Sequence, residues 1–576
     1  MDRTEIIQSL RQQPKISVLI VGGGINGAGT FRDLALNGVD ALLIDRADFC
    51  SGASAASSHM AHGGIRYLEN GEFRLVREAV QERNRMIENA PHLVRPLPTT
   101  IPIFKVFSGL LNAPLKFLGW LEKPSERGAL VIKIGLMLYD AFTRGQGAVP
   151  PHVFDKRETA LEKFRYLNPE ICYAATYYDG AILSPERLTV ELILDGEAEG
   201  PHARALNYVS LIGVNGDTVT LRDETTGSTF DLRPRLIVNA AGPWIDAANR
   251  TLGLQTRYIG GTKGSHLILN HPGLRAAIGK NEFFFENKDG RIVLIFPLMD
   301  KVLIGTSDIP IENPDEVRCT EDEIDYFLGM IARVFPAIQV DRSHIVFRFS
   351  GVRPLAYTQA KNAGQITRDH HIQEDKPGEI PVYSLVGGKW TSYRAFSEQA
   401  TDKVLSYLGL ARKAGTQNLP IGGGKDYPWT GYIQLQFFNR VYELTGLPNQ
   451  WPKILFDRYG TRAQEIAAFM AAAYDAALKH KPDMTRREIA FLAQREKIVH
   501  LDDLLLRRTM LAYLGELTRP LVDELAEYVG EALGWTKAQK KAEVSRALDI
   551  LADRHGLVLP APVPQAQVSE VEEVRL

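Results

Sequence analysis

Cysteine is scarce in this chain. Its 576 residues include three, Cys50, Cys172 and Cys319, far apart in sequence. So sparse and odd a set fits a reducing compartment, excludes a disulfide framework and offers no metal-ligand spacing. Long apolar runs are missing as well. No stretch reaches the ~18 apolar residues of a membrane-spanning helix, and Met1 to Lys15 is polar, without the apolar segment of a signal peptide. Excess charge of one sign is also lacking, because the formal net charge is −2, so nothing global draws nucleic acid. Association with a membrane surface stays open. Apolar residues make up 45% and charged residues 24%, ordinary for a globular protein. The length implies about two or three domains.

Ile16 to Val21 is a short apolar run that leads into Gly22-Gly23-Gly24 and predicts a buried strand. Ile25 to Asn37 then reads as a helix closed by Gly38, and Ala41 to Ile44 as a second strand ending at Asp45. This is a βαβ opening. Helices are expected over 75–89 and 187–199. Short β runs follow over 203–238, around the turn signals Asn215-Gly216-Asp217 and Thr225-Thr226-Gly227. Segments 265–269, 291–296 and 301–304 are further strand candidates. From about Thr401 to Leu551 the texture is helical, and the Pro-, Gln- and Glu-rich tail 561–576 reads as disordered.

Gly22-x-Gly24-x-x-Gly27 has the form of a dinucleotide loop. Gly22 permits the tight turn, Gly24 lets a pyrophosphate approach the backbone, and Gly27 lets helix and strand pack closely. The helix N-terminus offers free N–H groups to phosphates. Asp45, 18 positions beyond Gly27, stands where an acid accepts hydrogen bonds from a ribose. The loop alone does not separate FAD from NAD. Two later apolar runs with small residues, Leu236 to Trp244 and Leu385 to Thr391, bring backbone close to a ligand. The helix expected after Thr391 could hold the electron-rich edge of a flavin, a return that a nicotinamide enzyme does not need.

Ser57-Ser-His-Met-Ala-His-Gly-Gly-Ile-Arg-Tyr-Leu-Glu69 resembles the FAD-dependent, quinone-linked glycerol-3-phosphate dehydrogenase family, whose pattern there is Ser-Ser-Lys-Leu-Ile-His-Gly-Gly-Leu-Arg-Tyr-Leu-Glu. Further matches follow in order at 72–76, 90–93, 134–136, Tyr139-Asp140, 239–244, 263–266, 305–308, 350–355, 366–369 and 387–389. They continue more weakly near 501–509. The chain departs from the pattern at His59, Met60 and Ala61, and at Ala53 and Ala55, where the family has hydroxyl residues. The segment from Ile101 to Gly128 is longer than in the short bacterial members.

The resemblance implies an α/β protein: a glutathione-reductase-like FAD-binding domain (about 16–100, 150–245 and 350–405), an interwoven antiparallel-sheet substrate domain (about 101–149 and 246–349), and an all-helical C-terminal domain over 406–560. It implies FAD contacts from Gly22, Gly24, Asn26, Gly27, Asp45 and Arg46. Ser54, Ser58, His62, Gly63 and Gly64 would follow along the flavin. Ala241, Gly242, Gly388, Lys389 and Thr391 would complete the site. Arg66, Tyr67, Arg368 and Lys389 would hold a phosphate or border the flavin, since Arg forks suit a phosphate monoester. His266 and Arg353 would face an alcohol. Oxidation by hydride transfer to flavin also needs a base for the hydroxyl proton, and a histidine suits that near neutral pH. His266 is the first candidate and His62 the second, with Arg353 polarising the oxygen. The spacing around His59 gives little support for a covalent flavin.

The implied reaction is oxidation of sn-glycerol 3-phosphate to dihydroxyacetone phosphate, with electrons passed to a membrane quinone at the inner face of the cytoplasmic membrane. The resemblance also allows a homodimer. Residues 103–121 are apolar and aromatic with Lys105 and Lys116 interspersed, and Pro114 breaks any single long helix. Two short amphipathic helices on lipid, or a hairpin on the protein's own core, both fit. The rival functions are an oxidase using O2, a dehydrogenase of a longer polyol phosphate such as erythritol 4-phosphate, a silent flavoprotein, and an NAD-linked enzyme.

Overall fold

A computed structural model describes residues 2–64, 73–106, 129–143, 149–286, 292–357 and 370–560. Among these, the strands form two sheets, of eight and ten strands. The core of the smaller one is parallel: Lys15–Val21 pairs with Ala41–Ile44 on one side and Thr229–Asn239 on the other. Ala203–Leu206 and Val382–Val386 extend it in the same sense. Strands buried on both faces read as continuous apolar runs, and Ala41–Ile44 is buried at every position. The helices Ile25–Leu36, Pro185–Ala198 and Tyr393–Leu408 cover one face. The helix Arg3–Gln12 and an antiparallel extension at 209–223 contribute to the core on the other.

The larger sheet is mostly antiparallel. Thr262–Leu269 lies between Lys301–Gly305 and Ile345–Arg353. Val94–Ile103 bridges Glu282–Glu286, in parallel, and Tyr173–Ile182, antiparallel. This corrects the expected partition of the chain. The sequence resemblance puts 153–156 and 173–182 in the FAD domain, but Tyr173–Ile182 pairs residue by residue with Val94–Ile103, and Val153–Lys156 adds to its other edge. Residues 350–353, expected in the FAD domain, likewise belong to the larger sheet, in the strand Ile345–Arg353. Pairing partners are chosen by tertiary contact, which a linear boundary does not capture.

Residues beyond about 410 are helical and share a core with one face of the larger sheet. Phe296, Leu298, Phe347 and Phe349 pack in one cluster with Phe456, Leu492, Leu505, Tyr513 and Leu525. The tail 561–576 lies outside the described residues. No helix among them is long and apolar enough to cross a membrane.

Candidate active site

The C-terminal ends of the parallel strands open into a cleft of about 1030 Å3, the position where open α/β sheets take ligands. Gly22 turns out of the first strand with φ +108°, and a Cβ there would meet Ala240 O at 2.6 Å. A Cβ on Gly27 would fall 1.9 Å from Gly22 O, so glycine alone lets helix and loop meet. On Gly24, which lines the cleft, a Cβ would meet only the Ser54 side chain, its Oγ at 3.0 Å. Ser54 Oγ accepts from the N–H of Ile25 at 3.0 Å. Asp45 lines the same cleft and accepts from the N–H groups of Gly23 (2.7 Å) and Ala47 (2.9 Å). Burial raises its pKa to about 6 against those two bonds. It is mainly ionised at neutral pH, as a ribose acceptor must be. Arg46 lies at the exposed rim, paired with Asp315 at 2.6 Å and over the ring of Trp244.

The second approach to the cleft is the turn at 387–391. Gly387 and Gly388 have φ +82° and +96°, and a Cβ on Gly388 would strike Asn26 Nδ2 at 2.5 Å. Asn26 donates to Gly387 O at 3.3 Å, and Trp390 Nε1 donates to Ser54 O at 3.0 Å. Asn26 Oδ1 and Thr391 Oγ1 are buried with no protein partner, the condition of atoms that await a ligand. Two helix N-termini, three positive-φ glycines, a ribose acid and two orphaned oxygens fit a flavin dinucleotide.

Ala241, Gly242, Gly388 and Lys389 line the cleft, whereas Gly27, Ser58, His62, Gly63, Gly64 and Thr391 are not among its lining residues. Gly63 donates its N–H to Asp179 at 2.9 Å, and a Cβ on it would sit 2.1 Å from Tyr139 Oη. Tyr139 donates to Asp179 at 2.7 Å, and the fully buried Arg83 donates to Tyr139 Oη at 2.6 Å. Sequence reasoning missed this buried group. Its signals in the sequence are the matched Tyr139-Asp140 and an acid, Asp179, inside the strand Tyr173–Ile182. Arg66, Tyr67 and Arg368 lie outside the described residues.

His266 and Arg353 come together on one face of the larger sheet. The His266 ring is 1% exposed and stacks on Phe349 at 4.8 Å, and Phe349 itself lines the cleft. Nε2 lies 2.9 Å from Ser58 Oγ, and Nδ1 has no hydrogen-bond partner. Burial, then the charge of Arg353, push this imidazole well below its usual pKa, so it is neutral throughout the physiological range. The Arg353 guanidinium lies over Gly264, and donates to Thr306 Oγ1 at 2.8 Å and Asp308 at 3.3 Å. Two glycines make the room: a Cβ on Gly264 would meet Arg353 Nη2 at 2.4 Å, and one on Gly305 would meet His266 Cδ2 at 2.2 Å. His59, where the resembling family has lysine, is fully buried and donates from Nδ1 to Ile182 O at 3.0 Å.

The fold and cleft define a flavin-dependent oxidoreductase, and comparison with known proteins agrees. The FAD dependent oxidoreductase family model matches residues 17–391, and the C-terminal domain of alpha-glycerophosphate oxidase matches 414–540. A glycerol-3-phosphate dehydrogenase from Synechocystis sp. is 33% identical over 93% of this chain and 96% of its own length. The mitochondrial glycerol-3-phosphate dehydrogenase of Mus musculus is 27% identical, over 95% of this chain and 74% of its own. The chain belongs to the FAD-dependent glycerol-3-phosphate dehydrogenase family. The solved glycerol-3-phosphate dehydrogenase of Bacillus halodurans, complexed with FAD, shares the fold with a TM-score of 0.74 at 21% identity, covering 96% of this chain and 97% of that one.

Proposed function

We propose that the chain oxidises sn-glycerol 3-phosphate to dihydroxyacetone phosphate and passes the electrons to a membrane quinone, at the inner face of the cytoplasmic membrane. The observation that carries the chemistry is the neutral, buried His266 beside the fixed guanidinium of Arg353, next to the cleft. The names of the relatives supply the substrate. FAD supplies the hydride acceptor. Arg353, permanently charged, holds the carbinol oxygen and lowers its pKa. His266 takes the hydroxyl proton. Because Nε2 is engaged by Ser58, Nδ1 is the nitrogen left to receive it. His62, half-buried beside Gly63, is the second choice of base. Lys389, with Arg66, Tyr67 and Arg368, meets the phosphate.

The membrane reading has support from the helix Ala129–Thr143. One face packs Ile132, Leu136 and Tyr139 inward. Leu130, Ile134, Met137 and Leu138 form an exposed stripe, 40–58% accessible, of the kind that seats a helix on lipid. Of the segment 103–121, only 103–106 is among the described residues. The test is sedimentation with anionic vesicles. An Ile134→Asp, Met137→Asp variant should stay in solution with its dye-linked activity intact, and equal sedimentation would reject the membrane claim. The acceptor is tested by turnover with a soluble quinone against O2. Faster turnover with O2, yielding hydrogen peroxide, would make the chain an oxidase.

A further inference from the structure

One wall of the cleft comes from outside the dinucleotide motifs. Leu506, Arg507, Tyr513 and Arg546 of the helical C-terminal region line the cleft together with the loop 51–56. A buried ionic cluster ties this wall to the loop that follows Asp45. Asp48, fully buried, accepts from both terminal nitrogens of Arg508 at 2.7 and 2.9 Å and from Arg507 Nε. Arg507 also reaches Asp502 at 3.0 Å and Asp503 at 2.7 Å. Tyr208, which lines the cleft, donates to Asp503 at 2.7 Å, and Asn207 donates to Asp48 (2.9 Å) and to Lys497 O (2.8 Å). On the pyrophosphate side, Tyr513 donates to Ala55 O at 3.1 Å and to Glu186 at 2.9 Å.

Apolar contact alone would join two domains at least as strongly as buried charges do, and the shared core already supplies it. What the polar contacts add is direction: Asp48 and Ala55 O, on the two short loops that shape the cleft, accept from Arg507, Arg508 and Tyr513 of the C-terminal domain. We infer that the helical C-terminal domain is the clamp that retains FAD, with residues 497–513 holding the loops 45–48 and 51–56 in their binding shape. The inference rests on FAD occupying the cleft, and on neither the substrate nor the acceptor. Linkage then requires that FAD and the closed clamp stabilise each other by the same factor.

The test is flavin release from the holoenzyme, held well below its unfolding temperature and followed by the fluorescence of freed FAD. A Tyr208→Phe, Tyr513→Phe variant removes two hydroxyls and no charge. It should release FAD faster, by roughly the 5–150-fold that such couplings span. An Arg486→Ala variant, which breaks an exposed ion pair with Glu531 in the same domain, should release at the wild-type rate. Hydrogen exchange on the wild-type protein, with FAD and after its removal, should show the amides of 497–513 protected by FAD. Unchanged release from the double variant, equal acceleration by Arg486→Ala, or exchange at 497–513 indifferent to FAD would overturn the inference.

Discussion

Gly264→Ala places a methyl group against the guanidinium of Arg353 while leaving the arginine itself in the sequence. The new Cβ would lie 2.4 Å from Nη2 and 2.7 Å from Cζ and Nη1, where carbon contacts settle near 3.5–4.0 Å. The guanidinium must retreat by about 1 Å, straining its bonds to Thr306 (2.8 Å) and Asp308 (3.3 Å). The obstacle is the far end of a long side chain, so the fold should lose only the lower part of the ~1–3 kcal/mol typical of overpacking. Catalysis should suffer more. Misplacing a positioning group by about 1 Å can cost ~10²-fold, and loss of one donor to a developing oxyanion costs about 10²–10³-fold, or ~2.7–4 kcal/mol. Rapid-mixing measurement of anaerobic flavin reduction by glycerol 3-phosphate reads this directly, with FAD content and melting temperature as controls. Gly329→Ala, in the helix Glu321–Val334 with nothing within 4 Å of the new methyl, should leave reduction unchanged. A Gly264→Ala enzyme that reduces its flavin at the wild-type rate would refute the placement of Arg353 on the reacting oxygen.

Three other outcomes follow from the same geometry. Gly24→Val puts a branched side chain into the cleft where only Ser54 is near, so the protein should fold yet purify without FAD; a fully yellow preparation counts against the cleft as the pyrophosphate site. His266→Ala should slow flavin reduction by roughly 10²–10⁴-fold at unchanged FAD content. Because burial and Arg353 hold its pKa well below the usual value, the wild-type enzyme should show no acid limb from this residue near pH 6.5, and such a limb, lost in the variant, would contradict the placement. His59, held at about 4 chiefly by burial, stabilises the fold in its neutral form. That contribution is complete above the unfolded value of ~6.5 and is lost as pH falls from there towards 4, a loss on the order of 3 kcal/mol. His59→Asn, which tolerates the positive φ at this position, should flatten the fall in melting temperature between pH 6.5 and 4.5, and equal slopes in both proteins would exclude His59 as its source.

The dinucleotide unit was legible because its signals are local. The strand, the glycine loop, the helix to Leu36 and the acid at 45 follow one another within a single βαβ turn, and the structure has them where the periodicity puts them. The strands expected at 265–269, 291–296 and 301–304 and the helices expected at 75–89 and 187–199 also come from short-range pattern, and the structure has them at 262–269, 292–298, 301–305, 73–89 and 185–198. Pairing did not. Val94–Ile103 finds Tyr173–Ile182 across a long excursion, and no local signal separates that sheet from its neighbour. The residues around the site divide the same way. His266 and Arg353 were visible as a resemblance, but the glycines that make room for them, Gly264 and Gly305, acquire meaning only when facing strands are brought together. Asp48 and Arg507 are 459 positions apart. Each taken alone reads as an ordinary surface charge, and their burial is a property of the assembled domains.

The central proposal is that this flavoprotein takes a hydride from glycerol 3-phosphate, held by basic side chains. Anaerobic titration of the purified yellow protein tests it most directly. Glycerol 3-phosphate should bleach the flavin band stoichiometrically, while unphosphorylated glycerol at the same concentration should leave it oxidised, because it lacks the anion that Lys389 and its arginine partners are proposed to hold. Bleaching by glycerol as readily as by its phosphate, or by neither while erythritol 4-phosphate succeeds, would contradict the account.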